Sequence, residues 1–75
     1  MAGKISIIGQ IAEIDREIAM RERVYPREVQ SGRMKQAEAE MLMERIHAVR
    51  ATLMFCRENE ADIRAWMAEK KGGRA

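Results

Sequence analysis

Two stripes of apolar side chains at helical spacing decide what this chain can fold into. Ile7, Ile11, Ile14 and Ile18 recur at intervals of 4, 3 and 4, which lines them along one face of an α-helix. A second stripe runs through Ala39, Leu42, Ile46, Val49, Leu53 and Cys56, and resumes in phase at Ile63 and Met67 beyond the polar Glu60. Met41, Ala48 and Phe55 form a further row beside it. The fold class read from these stripes is all-α.

Between the stripes stand the only proline, Pro26, and Gly32. A proline cannot continue a helix arriving from its N-terminal side, and it pushes Tyr25 towards extended backbone. The expected organisation is one small helical domain over 1–75, with helix A over about 4–23, a connector over 24–34 and helix B over about 35–70. Within the connector, 27–31 can form one turn that starts at Pro26 and is closed by Gly32 in the left-handed conformation. Gly9 is a weak point of helix A, costing about 1 kcal/mol relative to Ala. Asn59 followed by Asp62 resembles an N-terminal cap, so a third helix starting there is the alternative to one long, kinked helix B. The unbroken phase across Glu60 favours the long helix.

At 1.5 Å per residue, helix A reaches about 30 Å and helix B about 50 Å. In a helical hairpin roughly 20 Å of helix B, carrying Ile63, Trp66 and Met67, then overhangs without a partner. Apolar surface of that kind normally meets another subunit. A chain of 75 residues is also marginal alone, burying only about 60–65% of its unfolded surface, so association helps it. The expected assembly is a homo-oligomeric helix bundle, a homodimer or higher closed form, with Phe55, Ile63, Trp66 and Met67 at the interface.

Charge and cysteine usage exclude several classes. Fourteen Lys and Arg against twelve Asp and Glu leave a net charge of +2, and the signs are interspersed along the chain, as on solvated helix faces. Nucleic-acid binding is disfavoured by that balance. One cysteine permits neither an intrachain disulfide nor a cysteine metal cluster. No stretch approaches the roughly 20 apolar residues of a membrane span, and the N-terminus lacks a signal-peptide pattern. The expected setting is a reducing cytoplasm.

Catalytic constellations are missing from the pattern. Glu44 and His47 have the Glu-x-x-His spacing of di-iron bundles, but Leu42 and Ile46 define the core face and place that pair outside it. Cys56 reads as a small buried hydrophobe, nine residues from the only histidine. No enzyme activity, metal or cofactor is expected. The seven methionines read chiefly as packing residues.

The one candidate site is the connector, where Arg21, Arg23, Arg27, Arg33 and Lys35 surround Tyr25 and Glu22 and Glu28 dilute the charge; Arg23, Tyr25, Arg27, Arg33 and Lys35 are the expected ligand-binding residues. Arginine offers forked donors for phosphate or carboxylate, and tyrosine a flat face on which a base can stack. Lys35 at the start of helix B opposes the helix dipole, and a bound anion would relieve it. The bland alternative is a solvated connector in which Tyr25 and Val29 staple the two helices together.

Residues 16–50 carry a further pattern. Arg-x-x-Val-Tyr-Pro closes the first helix (here Arg21 to Pro26), followed by Val29, Gly32, Arg33 and Met34 and an Ala/Glu-rich second helix through Gln36, Ala37, Ala39 and Glu40. This resembles small helical proteins of tailed phages and prophages, whose second helix often has Ser or Thr as its cap, where this chain has Lys35. The resemblance implies a setting, the bacterial host cytoplasm, and a habit of binding and blocking a host component. It assigns no functional residue. The leading expectation is a non-enzymatic antagonist of host defence that sequesters an anionic, nucleotide-like ligand at the Arg/Tyr connector near an oligomer interface. The alternative is a protein–protein inhibitor of a host factor using the Met/Trp-rich helix surface.

Overall fold

The computed structural model describes residues 4–72 as three α-helices in succession: α1 (Ile7–Gln30), α2 (Gln36–Glu58) and α3 (Glu60–Gly72). Among the described residues there is no strand. α1 starts where Ser6, in extended backbone, accepts the Gly9 amide N–H on its Oγ at 3.1 Å. That capping bond satisfies one of the helix's orphan donors, and it places 4–6 outside the helix that was expected to include them. Gly9 falls in the first turn, where a Cβ would lie 3.0 Å from the Ile5 side chain. The glycine lets the preceding chain fold close over the helix start.

The main correction lies at Pro26. The helix does not stop at residue 23 but runs through the proline to Gln30, absorbing most of the expected connector. Proline deprives the Glu22 carbonyl of its N–H partner and costs about 3 kcal/mol in a helix interior. Tertiary packing overrides that local cost: Tyr25 and Val29, on either side of Pro26, are half-buried and share a groove with Ala39 and Met43 of α2. The real stop is a Schellman cap. Gly32 takes a φ of 83°, its N–H donates to the Val29 carbonyl at 3.1 Å, and the Arg33 N–H donates to the Glu28 carbonyl at 2.9 Å. Gly32 thus closes the helix in the left-handed conformation, at the end of α1 rather than of an isolated turn.

Ile11 and Ile18 of α1 meet Ala39 and Ile46 of α2 in a narrow seam, each only 6–8% exposed. Two polar links set its register. Arg50 Nε donates to Asp15 Oδ1 at 2.6 Å, and Arg21 Nη1 donates to the Leu42 carbonyl at 3.0 Å. As the chain advances along α1 from Asp15 to Arg21, its partner retreats along α2 from Arg50 to Leu42, so the helices are antiparallel. The Arg50 guanidinium holds the Asp15 carboxyl below the usual carboxylate range, and Asp15 raises Arg50 in return. Leu42, Leu53 and Cys56 are half-buried along the seam, while Val49, on the same stripe, remains exposed.

The long helix expected over 35–70 is divided at Asn59. The Asn59 side-chain amide donates to the Phe55 carbonyl at 2.9 Å, the same carbonyl that accepts the Asn59 backbone N–H at 3.0 Å. A local side-chain bond of this kind competes with regular helix, and Asn59 sits at φ −113° and ψ 13°. α3 opens directly on this residue, whose carbonyl accepts the Ile63 N–H at 2.9 Å as the first bond of the new helix. α3 makes no packing contact with α1, has no buried residue, and extends the molecule to 61 Å.

A continuous α1 makes Pro26 its internal weak point. Replacing Pro26→Ala restores the donor for Glu22 and is expected to raise unfolding stability by up to about 3 kcal/mol in urea titration. An unchanged or lowered stability would mean that the helix is broken at residue 25.

Candidate functional site

The sequence grouped Arg23, Tyr25, Arg27, Arg33 and Lys35, but a helical backbone spreads them. Positions two apart lie about 200° apart around a helix, so Arg23 and Tyr25 point to opposite sides of α1. Tyr25 lines an open groove of about 610 Å³ between the end of α1 and the start of α2. Arg23 lines a different one, of about 380 Å³, beside Glu13, Arg16 and Glu17. Arg27 is exposed in the last turn of α1. Arg33 lies in the turn, its Nη1 3.3 Å from Glu28. Lys35 is the residue before α2, exposed, and makes no capping hydrogen bond with its side chain. Of the five, only Tyr25 enters the groove.

The groove has an apolar floor of Tyr25, Val29, Ala39 and Met43, and its rim carries Glu22, Glu40 and Glu44. The one cation there is Arg21, and it is already engaged. Its Nε donates to Glu17 at 2.8 Å, its Nη1 reaches the Leu42 carbonyl, and the guanidinium sits 5.7 Å from the Tyr25 ring centre. Three carboxylates around an occupied arginine make the field unfavourable to phosphate and favourable to an apolar or cationic occupant. The sequence placed Arg21 and Glu22 near Tyr25, but not Glu40 and Glu44 on the same rim, nor the bond from Arg21 to α2. The available signal was spacing: Glu17 four residues before Arg21 and Tyr25 four after it place all three on one helix face.

The residues expected at an oligomer interface are placed differently. Phe55, Ile63, Trp66 and Met67 are all exposed, with Trp66 at 57% and Phe55 at 60%. Met41, fourteen residues before Phe55 and on the same side of α2 as Ala48, is exposed as well. The Lys70 ammonium lies 4.9 Å from the Trp66 ring centre, a cation–π contact that covers part of one face. Glu44 and His47 are exposed, and Cys56 is half-buried. Among the described residues no three His, Cys, Asp or Glu side chains gather to hold a metal ion.

If Arg21 is the latch between α1 and α2, Arg21→Met keeps the apolar stem but loses its hydrogen bonds. The expected cost is about 1.5–3 kcal/mol in denaturant unfolding, against about 0.5 kcal/mol or less for Arg23→Ala on the solvated side. Equal losses in the two variants would contradict the latch. Compared with known protein families, curated proteins and solved structures, the chain matches none.

Proposed function

We propose that the chain is a non-enzymatic binding protein that works as a homo-oligomeric helix bundle and, in a phage-infected bacterial cytoplasm, blocks a host protein through an apolar helix surface. The observation that carries this reading is the set of large apolar side chains that α1 leaves uncovered, Phe55, Ile63, Trp66 and Met67. Exposed aromatic anchors rimmed by charge are typical of protein-binding surfaces. With Ile63 and Met67 given to self-association, Phe55 and Met41 on the outer side of α2 remain for a partner.

A second reading keeps the sequestration of an anionic, nucleotide-like ligand. It is favoured by Arg23, Arg27 and Lys35, which are exposed and form no ion pair among the described residues. Their dispersal, and the acidic rim around Tyr25, make it the weaker of the two.

Phage plating on a host that carries a defence system separates these readings. Met41→Glu/Phe55→Glu is expected to abolish any effect of the chain on plating while leaving helicity intact. Arg23→Ala/Arg33→Ala is expected to retain it. The opposite pattern would transfer the function to the ligand reading.

A further inference from the structure

We infer that α3 is a self-complementary docking element that pairs antiparallel with α3 of a second copy, Glu60 of each chain meeting Lys70 of the other. The inference rests on the self-association in the proposal above and specifies the surface and register. One face of α3 carries Glu60, Ile63, Met67 and Lys70, at intervals of 3, 4 and 3. That spacing reads the same in both directions, so a second copy turned end for end presents matching positions. Glu60 then opposes Lys70, Ile63 opposes Met67, and a two-fold axis repeats both pairs. The face has an acid at one end, a base at the other and two apolar side chains between them. A parallel alignment would set Glu60 against Glu60 and Lys70 against Lys70, so the charges select the antiparallel one.

The fold leaves a place of matching length. α1 begins at Ile7, and the antiparallel progression that pairs Asp15 with Arg50 brings its start alongside the last turn of α2. Beyond that point nothing from α1 lies beside α3. In the register just described, Gly72 of the second copy falls opposite Glu58, where α1 starts. The second α3 therefore takes up the course that α1 leaves, and its end adjoins an apolar groove of about 670 Å³ lined by Ile5, Ile14, Val49 and Leu53.

Helix physics points the same way. α3 has 13 residues and none is buried, a length at which an unpartnered helix is marginal in water. Ile63 and Met67 are 39% and 42% exposed and lie on the stripe that α1 covers further back. Among the described residues Glu60 holds only Arg64, at 3.1 Å along the same helix, and Lys70 only the Trp66 face. Both stay within reach of a partner.

Sedimentation of charge variants at low salt tests the pairing. Glu60→Lys and Lys70→Glu should each weaken self-association on the order of tenfold or more, since each turns attraction into repulsion at two symmetry-related places. Mixing the two single variants should give a 1:1 heterodimer tighter than either homodimer, and the double variant should recover association. Should Glu60→Lys unwind α3, Lys70→Gln gives an independent reading: the wild-type dimer weakens with added salt, and this variant should lose that dependence. A wild-type dimer indifferent to all these changes overturns the α3 pairing while self-association stands. A wild-type chain that stays monomeric at every concentration overturns both.

Discussion

Everything in this molecule depends on one narrow seam, Ile11 and Ile18 against Ala39 and Ile46. Burying a large aliphatic side chain contributes about 1.5–3 kcal/mol, and among the described residues only three such chains and an alanine are buried. The Asp15–Arg50 pair fixes the register of α1 on α2 more than it adds stability, since exposed ion pairs contribute about 0–1 kcal/mol, whereas the part-buried Arg21 does both. α1 is 24 residues long, whereas α2 and α3 together span Gln36–Gly72 with one interruption. The seam therefore ends before the apolar stripe does. The question of what stabilises the chain and the question of what it binds share one physical origin.

The stripes were legible because helical spacing is a local property, and both appear in the structure along the α1–α2 seam. Gly32 was legible too, because a left-handed cap has a residue preference of its own. Pro26 misled, since the rule against proline in a helix knows nothing of Tyr25 and Val29 settling on α2. The unbroken phase of the stripe misled in the other direction: it favoured one long helix, whereas the division falls at Asn59, the residue read as the alternative start of a third helix, and the competing side-chain bond to Phe55 has no signature in periodicity.

The misplacement of the connector had a consequence for the site. In a loop, Arg23, Tyr25 and Arg27 can turn towards a common centre, whereas in a helix Arg23 and Arg27 share a face that Tyr25 avoids. The carboxylates of Glu40 and Glu44, distant in sequence, arrive beside Tyr25 only because α2 folds back along α1. An anion site was thus the natural reading of a linear string, and an acidic-rimmed groove is what the folded chain presents. Apolar helix surface is left exposed at Phe55 and along α3.

The central claim is that α3 is ordered by contact with another copy and not by its own chain. Amide hydrogen exchange measured over a range of protein concentrations tests this directly. The account predicts that protection in α3 rises with concentration, while protection around Ile18 and Ile46 in the seam responds less. Fast exchange throughout α3 at every concentration would contradict it.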